Sequence, residues 1–223
     1  MNKLAFLFDE FVGSVHPFFA QPSVEAEKAL QIGSSYPPIT WTRLWKLHGS
    51  VAWHLIRTTD GSVRVVRRND ETVPAEQLMI FPSRDKYSES RKLPFLTFQD
   101  RLRKFLARGE VVFLISGNSF SDEHLNEIIF EGLRANSRLA ITALSYTDYS
   151  SADRISSLAR EHQNLTVCWP NKVIVGGILY DWTHTPSPSA TGSEKLFWDS
   201  SKSRWLLDDF ERLSSYLGSF TRN

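Results

Sequence analysis

Five consecutive apolar residues, Val111 to Ile115, form the densest hydrophobic run in the chain. A short unbroken run predicts a strand buried on both faces of a parallel sheet. Behind it Leu125, Ile128, Ile129 and Leu133 recur at helical spacing and predict an amphipathic helix. Leu139 to Leu144 reads as the next strand, Ala152 to Glu161 as the next helix, and Leu165 to Trp169 and Val173 to Val175 as further short strands. Such alternation implies right-handed βαβ units, and hence an α/β fold with a Rossmann-like, three-layer parallel sheet. Upstream, Phe98, Leu102, Phe105 and Leu106 mark a helix with basic residues on its other face, ended by Gly109. Asp60-Gly61 between the β-prone runs Ala52 to Thr58 and Ser62 to Val66 is a hairpin signal. Met79-Ile80-Phe81-Pro82 reads as a short buried strand closed by proline, and Trp205 to Leu217 as a terminal amphipathic helix.

The chain is expected to be a single domain over residues 1–223, with no internal repeat. Residues 1–40 form an entry segment rich in aromatics and proline (Phe6, Phe8, Phe11, Phe18, Phe19, Pro22, Pro37, Pro38), with one short helix over Val24 to Leu30. Residues 41–183 are the core, 184–195 a Pro/Ser-rich loop, and 196–223 the C-terminal helical part.

Composition narrows the function. With 26 basic and 25 acidic residues, the net charge of +1 disfavours a dedicated nucleic-acid binder. Lys86, Arg91 and Lys92 with Tyr87 read first as a solvated face, with contact to phosphates as the alternative. A nucleic-acid-end binder using Lys86 to Lys104 is the reading the near-neutral charge least favours. Cys168 is the single cysteine, which rules out an internal disulfide and fits a reducing, cytoplasmic setting. The opening apolar residues meet Asp9 and Glu10 before a signal-peptide core develops, and no run is long enough for a membrane span.

Two segments carry candidate chemistry. Ser116-Gly117-Asn118-Ser119-Phe120-Ser121-Asp122-Glu123-His124 lies between a strand and a helix, where open α/β sheets bind ligands. Gly117 lets backbone approach a ligand, Ser119 offers a hydroxyl to a ribose or phosphate, and Ser121 is placed to cap the helix. Asp122 and Glu123 in the first turn suit the helix dipole, yet argue against direct phosphate contact there. An ordinary, well-capped turn is the alternative. The second segment, Trp41 to Ser50, ends in His48-Gly49-Ser50. A histidine beside a cleft is suited to general-base work, and a histidine hydrogen-bonded in a turn is the alternative. No metal is expected: His16, His54, His162 and His184 share no ligand spacing with each other or with Cys168, and Asp122 with His124 gives two ligands at most.

In order along the chain, these segments resemble the sirtuin-like NAD-consuming domains of bacterial anti-phage defence proteins. The resemblance rests on Arg43-Leu44-Trp45-Lys46-Leu47-His48-Gly49-Ser50 with Trp53, on Ile80-Phe81-Pro82-Ser83, and on Lys86-Tyr87 with Ser90-Arg91-Lys92-Leu93-Pro94. Ser116 through Asn126 completes it, and Phe11-Val12-Gly13-Ser14 with Pro17-Phe18-Phe19 fits the region ahead. It runs from about residue 10 to at least residue 145.

The resemblance implies that NAD is the substrate and that His48 is the general base on a ribose hydroxyl or water. It also implies that Gly117, Asn118 and Ser119 line the ribose and phosphate side of the dinucleotide. The reaction implied is hydrolysis of NAD, an NAD glycohydrolase activity that halts phage growth. The family opens with a glycine-rich phosphate loop and supplies a catalytic asparagine ahead of the histidine. Here the eleven glycines include no Gly-x-Gly, and Gln163-Asn164 follows the histidine block, so no catalytic asparagine is identifiable. A βαβ unit needs roughly thirty residues or more, and the irregular segment before His48 does not supply one. The expectation is a C-terminal portion of the domain that lacks the first βαβ unit and is incomplete by itself. Completion would come from a homo-oligomer or from a hetero-complex with a complementary subunit or an ATPase. The alternative is a non-catalytic subunit that binds a partner such as a DNA-translocating ATPase.

Overall fold

The computed structural model describes residues 7–9, 42–57, 59–61, 63–67, 76–80, 95–183 and 197–219. The helix expected over Val24 to Leu30, the Phe81-Pro82 end of the expected strand, the Lys86 to Lys92 stretch and the 184–195 loop lie outside the described residues. The chain divides into two compact units, Met1–Arg101 and Leu102–Asn223. Among the described residues no helix is long and apolar enough to cross a membrane.

In the first unit β1 (Leu7–Asp9) pairs in parallel with β2 (Thr42–Leu44). The hairpin signalled by Asp60-Gly61 is present. β3 (Gly49–Arg57) and β4 (Val63–Arg67) pair antiparallel, with Arg57 opposite Val63 and Gly61 at φ +80°. β5 (Glu76–Met79) adds to the other edge of β3, so the strand expected at Met79–Pro82 lies earlier. Its burial signal belongs to Ile80, which packs with Trp53, Phe95 and Phe98 in a core flanked by Trp45, Leu47 and Leu78. The Trp53 and Phe98 rings stack 5.8 Å apart. Phe98 belongs to α1 (Phe95–Leu106), a helix that begins three residues before its expected start.

The second unit is built on a five-stranded sheet of order β10-β9-β8-β7-β6. β6 (Val111–Ser116), β7 (Leu139–Leu144) and β8 (Leu165–Cys168) are parallel, joined through α2 (Glu123–Ala135) and α3 (Arg154–Glu161). Both connections step the same way along the sheet, so right-handed crossovers put both helices on one face. That face carries Val111, Ile115, Leu139, Ile141, Ala143, Leu165 and Val167, all buried. Leu144, Cys168 and Val173 form one cross-strand row on the opposite face and pack against Leu207 and Leu213. Leu213 lies in α4 (Phe210–Ser219), so the unit has three layers.

Four expectations are corrected. The sheet is mixed rather than wholly parallel: β9 (Lys172–Val175) runs antiparallel to β8 and turns back through Gly176-Gly177 into β10 (Ile178–Asp181). Both glycines have positive φ, as a two-residue type I′ hairpin requires. β6 is not buried on both faces: among the described residues it lies at the edge of the sheet, with Val112 80% and Leu114 41% exposed. The terminal helix starts at Phe210 rather than Trp205, which instead pairs with Trp198 in the short ribbon β11 (Trp198–Asp199) and β12 (Arg204–Trp205).

Gly109 is not a left-handed helix cap and lies beyond the end of α1. The terminating role falls to Asn136, the C-cap of α2, whose Nδ2 lies 2.8, 2.7 and 3.1 Å from the carbonyls of Leu106, Arg108 and Gly109. Its Oδ1 accepts from the Arg138 amide at 3.0 Å. One side chain thus serves helix-end carbonyls that are distant in sequence. Asn136→Ala is expected to destabilise the fold by about 1–3 kcal/mol, read as a lower urea midpoint with unchanged slope.

Candidate functional site

The strand β6 ends at Ser116, and the chain must turn sharply to enter α2. Gly117 makes that turn at φ +71°, and no atom lies within 4 Å of where a Cβ would sit. Phe120 is also left-handed, at φ +54°, an uncommon conformation for an aromatic residue. Local bonds hold it there. The Phe120 amide donates to Asn118 Oδ1 at 2.7 Å, and Asn126 Nδ2, buried in α2, donates to the Phe120 carbonyl at 2.7 Å. The Phe120 ring stacks on Phe130 at 6.4 Å. The helix cap is Asp122, one residue later than expected, with Oδ1 accepting from the Leu125 amide at 3.4 Å. Ser121 does not cap; its hydroxyl lies 2.8 Å from that of Ser119.

This loop forms one wall of a crevice of about 590 Å³, within the range of small-molecule sites. The crevice opens at the carboxyl ends of β6 and β7, where open α/β sheets take ligands. Gly117, Asn118, Ser119 and Phe120 line one side; Ser145, Tyr146 and Thr147, which follow β7, line another. The Ser145 amide donates to the Cys168 carbonyl at 2.9 Å, tying that second loop to β8. Asp153 and Arg154 at the start of α3 add a carboxylate and a guanidinium. The Arg154 guanidinium lies over the Phe130 ring at 6.0 Å.

Asp208 also lines the crevice. Burial pushes its carboxyl up from the ordinary carboxylate range; the Asp208 and Asp209 backbone N–H groups and the charge of Arg204 pull the other way. Tyr146, Asp153, Arg154 and Asp208 were not among the residues expected from sequence. Ser145 to Thr147 carry the one available signal, a polar turn just after an apolar strand.

His48 lies in the first unit, apart from the loop residues in chain and in unit. It occupies a turn closed by the Gly49 amide donating to the Lys46 carbonyl at 3.0 Å. The His48 carbonyl accepts from the Ile80 amide at 2.9 Å. Gly49 is obligatory: its φ is +85°, and a Cβ would stand 2.5 Å from the Leu78 carbonyl oxygen. Backbone geometry therefore accounts for the glycine of the His-Gly pair, and the His48 side chain is half-buried.

Among the described residues, no group of three or more His, Cys, Asp or Glu is placed to hold a metal ion. Cys168 is buried, and desolvation pushes its thiol up to about 12. It therefore cannot be a reactive thiolate at neutral pH. A thiol reagent at about pH 8 is expected to leave the folded chain unlabelled and to modify Cys168 only on unfolding. Rapid native labelling would contradict this placement.

A family model described as SIR2-like domain matches residues 8–168. The chain belongs to the SIR2-like domain family. The match covers His48 and the whole Gly117–Ser119 loop, and it ends at the last residue of β8. Residues 197–219, including Asp208, lie beyond the matched residues. A comparison with curated proteins finds no match. Membership gives an NAD-related function and agrees with the Rossmann-like α/β arrangement of β6 to β8.

Proposed function

We propose that this SIR2-like chain is the NAD-binding component of a bacterial anti-phage defence system and hydrolyses the nicotinamide glycosidic bond once its site is complete. The observation that carries the proposal is the open Gly117-Asn118-Ser119 loop, facing a crevice at the carboxyl end of β6. Asn118 commits its Oδ1 to the loop, which leaves its amide nitrogen as a donor to ribose or phosphate oxygens. The Ser119 hydroxyl serves the same end. His48 is the general base in this reading, taking a proton from a ribose hydroxyl or from water as the bond to nicotinamide breaks. That role rests on the resemblance of Arg43 to Ser50 to the family's histidine block, as does the defence setting.

Two features support the need for a second polypeptide. The sequence has no Gly-x-Gly with which to cradle a pyrophosphate in backbone N–H groups. Among the described residues nothing pairs with the outer edge of β6, and Val112 and Leu114 face solvent beside it. Open edges and exposed apolar strands generally mark interfaces. A homo-oligomer, or a hetero-complex with a complementary subunit or an ATPase, would meet both needs.

The test combines binding with turnover. Titration calorimetry on the purified chain is expected to find weak binding of NAD and of ADP-ribose. Chromatography of the same mixture should find negligible nicotinamide release. Steady release by the chain alone would overturn the need for completion, and the absence of any binding would overturn the NAD reading.

A further inference from the structure

The crevice is unevenly charged. Among the described residues, Asp153 and Asp208 line it with one cation, Arg154, whose guanidinium lies over an aromatic ring. A phosphate placed between these carboxylates would meet net repulsion, whereas neutral hydroxyls or an amino group would find acceptors. Asp208 also reaches the crevice from an unexpected quarter, because it lies 40 residues past the end of the family match at 168 (208 − 168).

Its position is fixed by the segment around it. The Trp205 amide donates to the Pro170 carbonyl at 2.9 Å, and Leu206 donates to Phe197 at 2.9 Å. Arg204 Nη1 lies 3.4 Å from Asp148 Oδ1, on the loop that follows β7. Leu207 is buried against Leu144 and Cys168 at the ends of β7 and β8. On the other side, Asp209 Oδ1 accepts from the Arg212 amide at 3.0 Å at the start of α4. Residues 204–209 are thus pinned at both ends, which fixes the backbone of Asp208 where the residue lines the crevice.

We propose that Asp208 is a specificity-determining residue that accepts hydrogen bonds from the ribose hydroxyls of the adenosine half and excludes a phosphate there, so that the crevice takes NAD and rejects NADP. A carboxylate near a ribose diol favours the free 2′-hydroxyl, while a 2′-phosphate calls for a cation in its place. The inference rests on the NAD reading above and adds the group that enforces it.

The test is calorimetric titration of the full chain with NAD and with NADP, for the unmodified protein, Asp208→Asn and Asp208→Ala. The unmodified chain should prefer NAD by about tenfold or more, the scale of one hydrogen bond to a charged group. Asp208→Asn should narrow the ratio to within about threefold, chiefly because NADP gains. Asp208→Ala should narrow it too, with NAD losing affinity. Thermal melts establish that each variant is folded, and a merely structural Asp208 would shift both dinucleotides together. An unchanged ratio in the variants, or equal binding of both dinucleotides by the unmodified chain, would overturn the Asp208 assignment and leave the NAD reading standing. Failure of the unmodified chain to bind either would overturn both.

Discussion

His48→Ala is expected to lower NAD turnover of the assembled enzyme about 10²–10⁴-fold, the range for loss of a general base. The loss should fall on kcat, with KM little changed, because the imidazole acts on a proton in transit rather than on ground-state binding. The fold should survive. The turn around His48 is held by backbone groups, Gly49 to Lys46 and Ile80 to His48, and its shape is imposed by the close approach of Gly49 to the Leu78 carbonyl. None of these needs the imidazole ring. Circular dichroism should show the variant folded while nicotinamide release collapses. Near-normal release would return His48 to a structural role in the turn.

The second large effect belongs to Gly117. A valine there must adopt φ near +71°, a conformation that costs a β-branched residue about 1–3 kcal/mol. The added side chain would meet no protein atom within 4 Å and would stand in open space at a position that lines the crevice. Gly117→Val is expected to weaken NAD binding by about tenfold or more, both by displacing the loop and by occupying ligand space. Gly61 supplies the control, with φ +80° and equally open surroundings in the β3–β4 hairpin, which does not line the crevice. Gly61→Val should lose comparable stability and leave NAD affinity unchanged. Equal loss of affinity in both variants would trace the effect to general destabilisation rather than to the loop.

The path from β6 through α2, β7 and α3 to β8 was legible because its signals are local. Leu139 to Leu144 stands where the apolar run ends on both sides, and Ile128, Ile129 and Leu133 are buried as their helical spacing requires. Strand direction was not legible. A four-residue strand such as β9 carries no mark of which way it runs, and the informative feature was the Gly176-Gly177 turn beyond it. Nor does an apolar run reveal whether both its faces are covered. Val111 to Ile115 reads as interior, yet Val112 and Leu114 are exposed on a strand that is outermost among the described residues.

The candidate site divides in the same way. The Gly117 turn is a local event between a strand and a helix, and the sequence displays it. The Asn136 clasp reaches back 27 to 30 residues, and Asp208 joins the crevice from beyond the sheet. In sequence Asp208-Asp209 looks like nothing more than a helix start, and Asp209 does serve as one. Its neighbour acquires a second role only because Leu207 is buried against the ends of β7 and β8.

Hydrogen exchange of the purified chain, measured by mass spectrometry with and without NAD, tests the central claim most directly, since it locates the ligand without requiring turnover. Saturating NAD is predicted to slow exchange in residues 116–120 and 145–147, the two loops at the carboxyl ends of β6 and β7. The β3–β4 hairpin should be unaffected. Unchanged exchange in both loops at saturation, or protection confined to other segments, would contradict the account.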